Sequence, residues 1–386
     1  MSSHRPDGTI LLAHPGAELY GSDRVLLESV SALVEEDWRV VVTVPTEGPL
    51  LAELRERGAE VVSCATPVLR KSVLRPVGML RLLGTTLRGF TAGFRLLSRE
   101  RPRVIYVNTM TIPLWQLLGR LRGIPVLCHV HEGEASANRI LRSILTLPLF
   151  LATAIVANSH FSADVLTGAF PRLGARITVV YNGIPGPPNP TRARRRLRGP
   201  VHLTYVGRLS PRKGVDVAID ALALLAGRGV NAKLDVVGAT FPGYEWYERQ
   251  LREQVKQKQL DGRVRFHGFQ ACIWELMTAG DVVIVPSRAD EPFGDTAVEA
   301  ILSGRPVIAS ATSGLLEATA GYHTAKTVEP GSAVALADAL QWQIRNWNAR
   351  LSAAREDLVI ARSRHGPRVY REQIARSIAS IANAHH

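Results

Sequence analysis

Two glutamates, Glu291 and Glu299, stand with seven residues between them in ADEPFGDTAVEAILSGRPVIAS, which runs from Ala289 to Ser310. An apolar helical pattern passes through the second. Thr296 and Glu299 form a T-x-x-E capping box, with Asp295 as an alternative cap, so Glu299 has a structural reason to be there. Glu291 has none. It follows VIVPS, where a buried strand would end, and lies beside Pro292 and ahead of Gly294. The amides around Gly294–Ala297 would then form the positive end of a helix. A carboxylate next to free amides suits a ligand with both hydroxyls and phosphates: the carboxylate accepts from hydroxyls, and the amides meet phosphate oxygens.

Three further groups have suitable chemistry. YVGRLSPRKGVD (Tyr205–Asp216) places Gly207 after a strand, then Arg208 and Lys213, then a helix. Glycine admits a ligand close to the backbone, and the two cations suit a diphosphate; an ordinary strand–helix loop with surface cations would look the same. HPGAELYGSDRVLL (His14–Leu27) puts Gly21 at a helix start, where it admits a sugar or phosphate to the first amides, or where Ser22 simply caps the helix. This is not the G-x-G-x-x-G dinucleotide fingerprint. In HVHEGE (His129–Glu134), strand alternation puts His129 and His131 on one side. Such a pair binds a metal, donates to a substrate oxygen, or is internally satisfied. No third ligand stands at useful spacing, and no metal site is expected.

The elements that position these groups alternate between strand and helix. TILLAHP, RVVVTVP, AEVVSC, RVIYVNT, IPVLCHVHE, TAIVANS and ITVVYNGI read as strands in the first half, with helices at Ser22–Glu36 and Pro49–Arg57 among them. Their apolar runs do not alternate, as expected for strands buried on both faces of a parallel sheet. PGPPNPTRARRRLRGP (Pro185–Pro200) opens with five Pro or Gly in six residues and reads as a linker. The alternation then restarts with VHLTYVG, AKLDVVG, RVRFHG, DVVIVPS and PVIAS, and helices Val215–Leu225, Tyr244–Lys258 and Cys272–Ala279. The reading is α/β: two doubly wound, Rossmann-like domains, residues 1–184 and 201–366, joined by a linker at 185–200 and facing a central cleft. Pro367–Ala384 reads as a final amphipathic helix.

Composition narrows the function classes. A chain of 386 residues suits two domains. Cys64, Cys128 and Cys272 are widely spaced, against a disulfide framework and for a reducing compartment. The N-terminus reads as a first strand rather than a leader, and Pro148 interrupts the longest apolar run, Ile144–Ala157. Cytoplasmic localisation is expected. The net charge of +13 is unevenly placed: Arg70–Arg103 holds nine Lys or Arg against one acid, Glu100. Arg81, Arg88, Arg95 and Arg99 recur among Leu and Phe, a pattern that suits either an anionic membrane surface or a solvated helix face. A peripheral place on the inner face of the plasma membrane follows from the first reading. No nucleic-acid motif accompanies the charge, so no nucleic-acid partner is expected.

Taken together, VGRLSPRKGVDVAIDAL, RVRFHGF, VIVPSRADEPFGDTAVEAILSGRPVIAS and VVYNGI resemble, in order and over most of the chain, the retaining glycosyltransferases of family 4, which have the GT-B fold. The resemblance implies that Arg208 and Lys213 neutralise a nucleoside diphosphate leaving group. It implies that Glu291 and the amides near Phe293–Thr296 (Phe293, Gly294, Asp295, Thr296) hold the sugar, and that Glu299 binds the ribose. Residues Phe266–Phe269, with Phe266 and Gly268, would line the base pocket beside Gly207. His131 would lie near the donor sugar and the reacting centre, and Gly21 near the phosphates and acceptor. It further implies that the first domain binds the acceptor, that no divalent metal or other cofactor is needed, and that helix 367–384 packs back on the first domain. The acceptor would be a glycan, a lipid-linked molecule or a small molecule, in polysaccharide, glycolipid or cell-envelope glycan synthesis. Two departures stand out: LYGSD where the family often has Gly-Gly-Ala-Glu, and Ser313–Gly314 where it often has Gly-Gly. Other readings of the architecture are a nucleotide-sugar epimerase, a phosphorylase, or an inactive scaffold subunit.

Overall fold

Unbroken apolar runs become central strands with no exposed face. The computed structural model describes residues 8–69, 76–133 and 139–384. Arg70–Arg75 of the basic stretch, Glu134 of HVHEGE and the first seven residues lie outside them. The chain divides into two units, Met1–Gly183 with Pro367–His386, and Ile184–Gly366.

The first unit has strands β1 (Thr9–Ala13), β2 (Arg39–Val44), β3 (Glu60–Ser63), β4 (Val104–Val107), β5 (Val126–Val130), β6 (Ala154–Ala157) and β7 (Ile177–Val179). Its helices are α1 (Gly21–Glu35), α2 (Leu50–Glu56), α3 (Pro76–Glu100), α4 (Leu114–Arg122), α5 (Arg139–Thr146) and α6 (His160–Ala169). The sheet order is β3-β2-β1-β4-β5-β6-β7, parallel throughout. Leu11 of β1 lies between Val41 and Ile105. Chain direction across the sheet therefore reverses between β1 and β4, the switch point at which open α/β sheets bind ligands.

The second unit repeats the plan with β8 (Val201–Val206), β9 (Ala232–Val237), β10 (Val264–Gly268), β11 (Val282–Val285), β12 (Val307–Ser310) and β13 (Ala325–Val328). Its helices are α7 (Val215–Gly227), α8 (Glu245–Gln257), α9 (Trp274–Ala279), α10 (Asp295–Leu302), α11 (Ser313–Thr319), α12 (Ala333–Arg345) and α13 (Trp347–His365). The sheet order is β10-β9-β8-β11-β12-β13, again all parallel, with its switch point between β8 and β11.

The last helix, α14 (Pro367–Asn383), belongs to the first unit. Tyr370, Ile374, Ile378 and Ile381 form its buried stripe and share a core with Leu26, Val30 and Leu33 of α1. Each such side chain contributes about 1.5–3 kcal/mol of burial. Arg371 of α14 adds an ion pair to Glu28 Oε2 at 2.6 Å.

Residues 185–200 have no helix or strand, as their prolines dictate, yet they are fastened to the second unit. Ala193 lies in its core. Arg194 Nε donates to Asp281 Oδ1 at 2.8 Å, and Trp347 Nε1 donates to the Arg194 carbonyl at 2.8 Å. The buried Arg305 donates to the Thr191 carbonyl at 2.9 Å. The segment read as a linker is thus held at Thr191 and Arg194 by polar anchors whose partners, Asp281, Arg305 and Trp347, are distant in sequence.

Candidate functional site

In the second unit, the groups singled out from sequence lie at or past the carboxyl ends of strands β8, β10 and β11. Gly207 follows β8, Gly268 ends β10 and Glu291 lies beyond β11. A short 3-10 turn, Pro211–Lys213, carries Lys213. Lys213 Nζ is 2.7 Å from Glu291 Oε1, and Arg212 Nη1 is 3.5 Å from Oε2. Ser287 Oγ donates to Glu291 Oε1 at 2.7 Å. Glu291 is only 5 % exposed. Burial pushes its carboxyl up, but the Lys213 and Arg212 charges outweigh this and hold it below the usual carboxylate range. Without ligand, the carboxylate assigned to the sugar and the ammonium assigned to the diphosphate neutralise each other. Glu291 is buried and Lys213 half-buried, and the pair is preset, which favours a ligand that brings its own hydroxyls and phosphates to replace the pairing.

The loops holding this pair interlock. Arg288 N donates to the Arg212 carbonyl at 2.8 Å, Arg212 Nη1 donates to the Asp290 carbonyl at 2.7 Å, and Arg288 pairs with Asp216. Gly314 N donates to the Glu291 carbonyl at 3.1 Å. A Cβ on Gly314 would sit 2.2 Å from that carbonyl oxygen, so the glycine of the Ser313–Gly314 pair is what lets α11 abut the Glu291 loop. Tyr205 Oη donates to the Arg208 carbonyl at 2.8 Å and fixes the loop whose Arg208 guanidinium lies over the Phe241 ring, 3.9 Å from its centroid.

Several sequence expectations change here. The capping box is not formed: α10 begins at Asp295, its N-cap is Gly294 at φ 128°, and Thr296 sits inside the first turn, where its hydroxyl reaches the Val206 carbonyl at 3.5 Å. Glu299 is therefore not held by a capping role. Phe293 is 2 % exposed and its ring packs 5.4 Å from that of His365, so only its backbone faces the loop. Phe266 packs against the core with Arg252 over its ring, whereas Phe269, past the end of β10, is 45 % exposed. Sequence reading also passed over Arg212 and Ser287; the signal for Arg212 was its place in SPRKG beside Lys213.

In the first unit, Gly21 is the first residue of α1 and is exposed. Ser22 does not cap the helix. Asp23 does the work instead, its Oδ2 accepting from the Tyr20 amide at 2.8 Å. His131 follows β5. Its Nε2 lies 2.9 Å from Asn108 Oδ1, and its ring is 4.0 Å from that of His129. Burial pushes His131 down to about 3, and holds His129 well below the usual histidine range. Both are neutral at pH 7. His129 Nδ1 lies 2.6 Å from Tyr106 Oη, which identifies His129 as the inward, structural member of the pair. Among the described residues no group of three or more His, Cys, Asp or Glu side chains is placed to hold a metal ion.

Comparison with known proteins gives a consistent result. Residues 20–186 match the family model for Glycosyltransferase Family 4, and residues 192–357 match that for Glycosyl transferases group 1. The chain is 28 % identical to a glycogen synthase of Mycobacterium tuberculosis over 253 residues, 62 % of this chain and 60 % of the relative. It is 34 % identical to a D-inositol 3-phosphate glycosyltransferase of Corynebacterium glutamicum over 201 residues, 49 % of this chain and 48 % of the relative. The matches thus span about half to three-fifths of those curated relatives. Among solved structures, Anabaena Alr3699/HepE in complex with UDP-glucose superposes with a TM-score of 0.81 at 23 % identity, covering 96 % of this chain and 99 % of that one. Sucrose-phosphate synthase from Thermosynechococcus elongatus superposes with a TM-score of 0.75 at 20 % identity, covering 98 % and 100 %. These likenesses establish the fold, GT-B.

Proposed function

We propose that this chain, which belongs to the group 1, family 4 glycosyltransferases, moves a hexosyl group from a nucleoside diphosphate sugar to an acceptor hydroxyl with retention of configuration. The observation that carries the reading is the pairing of half-buried Lys213 with the buried Glu291 at the second unit's switch point, beside the first turn of α10. Arg208 and Lys213 meet the diphosphate. Glu291 and the amides of Gly294–Thr296 hold the sugar, and Glu299 takes the ribose hydroxyls. The bond from the sugar's anomeric carbon to the phosphate oxygen breaks with oxocarbenium character, and the new bond to the acceptor oxygen forms on the same face. The acceptor proton passes to the departing diphosphate. Cations and helix-end amides stabilise the charge growing on that leaving group, with no metal in the reading. HepE is a relative in fold that is seen with UDP-glucose, which supports a sugar nucleotide as donor. The test is incubation of the full chain with candidate donors and acceptors, with proton NMR of the new anomeric signal. Retention is expected; an inverted product, or an epimerised sugar without acceptor, overturns the proposal.

The acceptor, in this reading, is lipid-linked or part of an envelope glycan, and the first unit meets an anionic membrane. Leu87 and Phe94 of α3 and Leu117 and Leu121 of α4 are exposed by 73 %, 38 %, 39 % and 59 %. Arg88, Arg95, Arg120 and Arg122, all exposed, lie within three residues of them in sequence, and the Arg122 guanidinium lies 4.7 Å from the Phe94 ring centroid. Exposed apolar side chains interspersed with arginine match the boundary between acyl chains and anionic headgroups. No helix among the described residues is long and apolar enough to cross a membrane. Sedimentation with acidic vesicles is expected to fall steeply with salt and to drop at least tenfold in Leu87→Ser/Leu121→Ser; equal binding to neutral vesicles contradicts it.

A further inference from the structure

A line of hydrogen bonds crosses the first unit's switch point from α1 to β5. Asp23 Oδ1 lies 2.6 Å from His14 Nε2, just past β1. His14 Nδ1 lies 3.1 Å from Asn108 Nδ2, just past β4. Asn108 Oδ1 lies 2.9 Å from His131 Nε2, just past β5. His14, Asp23 and Asn108 are buried.

The direction of every bond follows from groups that have no choice. The Ser22 carbonyl only accepts, and Asn108 Nδ2 donates to it at 3.3 Å. This fixes the amide: Nδ2 faces acceptors and Oδ1 faces a donor. His14 Nδ1 therefore carries a lone pair, and His14 Nε2 carries the proton given to the Asp23 carboxylate. At the other end, Asn108 Oδ1 needs a proton from His131, so that proton sits on Nε2. A neutral histidine has one N–H, and the structure spends it inward. His131 Nδ1 is left with a lone pair and, among the described residues, no hydrogen-bond donor.

We propose that Asp23, acting through His14 and Asn108, locks His131 as the neutral Nε2–H tautomer, so that His131 Nδ1 accepts a hydrogen bond from a substrate hydroxyl. This reverses the sequence expectation that His131 donates to a substrate oxygen. Asp23, His14 and Asn108 are positioning residues; His131 alone touches substrate. The substrate half rests on the transferase reading, whose ligands are rich in hydroxyls. The departure from Gly-Gly-Ala-Glu gains a meaning here: the acid of LYGSD both receives the Tyr20 amide and anchors the tautomer line. The same logic orients imidazoles elsewhere, where the bond made by one ring nitrogen decides the role of the other.

The tautomer is read directly by two-bond proton–nitrogen correlation spectra of the full chain labelled with nitrogen-15 histidine, with the His131 signals identified by their loss in His131→Gln. In the free wild-type protein, His131 is expected as a single Nε2–H tautomer that does not titrate between pH 5.5 and pH 8. His129, His14, Asp23 and Glu132 are the titratable groups that face it or adjoin it. Asp23→Asn and Asn108→Ala are each expected to mix the tautomers and to lower kcat/KM by about 10–100-fold. An Nδ1–H or mixed His131 in the wild type overturns the proposal, as does an unchanged tautomer in both variants. Because the spectra need no substrate, failure of the tautomer assignment and failure of the transfer assay are separate results.

Discussion

Lys213→Ala is expected to lower transfer by about 10²–10³, the size of effect seen when one preset donor to a developing negative charge is removed. Lys213 also partners a buried carboxylate, so the variant disturbs stability as well. It leaves Glu291 with Arg212 at 3.5 Å and Ser287 at 2.7 Å, and loses a charge-assisted bond worth about 1.5–3 kcal/mol. The sign of the pH effect is set by the same pair. The Glu291 carboxyl titrates below its ordinary value in the folded chain, so its contribution to stability is present above the unfolded carboxylate range and is lost on acidification through the lowered value. Lys213→Ala weakens that protection. The double variant Lys213→Met/Glu291→Gln separates the two roles. With both charges gone, thermal stability is expected to return toward wild type while transfer stays down by at least 10². Recovery of activity along with stability would make the pair structural only. Activity is measured by donor consumption well below the melting temperature.

Gly214→Ala is expected to cost about 3 kcal/mol and about 6–12 °C in melting temperature. Gly214 is at φ 68°, a left-handed conformation, and a Cβ there would lie 1.9 Å from the Pro286 carbonyl oxygen. The clash is with the Pro286 backbone, its carbonyl carbon being 2.9 Å away, so relief means moving the 3-10 turn with Lys213 away from the loop with Glu291. The variant thus loses the Lys213–Glu291 geometry along with stability. Differential scanning calorimetry and a transfer assay on one preparation check both. A normal melting temperature would show that the loops part freely, against the interlocked site described above.

How much of this was legible beforehand depends on which contacts are local. Central strands such as β2, β4, β5 and β11 announce themselves because strands buried on both sides of a parallel sheet are apolar at nearly every position. Strand β13, AKTV, does not: all four residues are only half-buried, and Lys326 interrupts the pattern. Helix α13 buries just Trp347, Ala354, Asp357, Ala361 and His365 of nineteen residues, too sparse for a helical stripe. Lys213 and Glu291 were readable as chemistry from SPRKG and ADEPFG, but their pairing is a contact between loops more than seventy residues apart. The T-x-x-E box misled because capping depends on where the helix begins, and the left-handed Gly294 starts it one residue before the threonine. His14, Asp23 and Asn108 escaped notice for a related reason. Each is a single polar residue next to a strand end or a helix start, and only the sheet order β1-β4-β5 brings them into line.

The central claim is that the second unit binds a sugar nucleotide through Lys213 and Glu291, and thermal melting of the full chain with UDP-, GDP-, ADP- and TDP-sugars tests it most directly. One donor at about 100 times its dissociation constant is expected to stabilise the wild type by about 2.7 kcal/mol, a shift of about 5–10 °C, and to give at most a small fraction of that shift with Lys213→Ala. No shift with any donor, or an equal shift with the variant, would contradict the account.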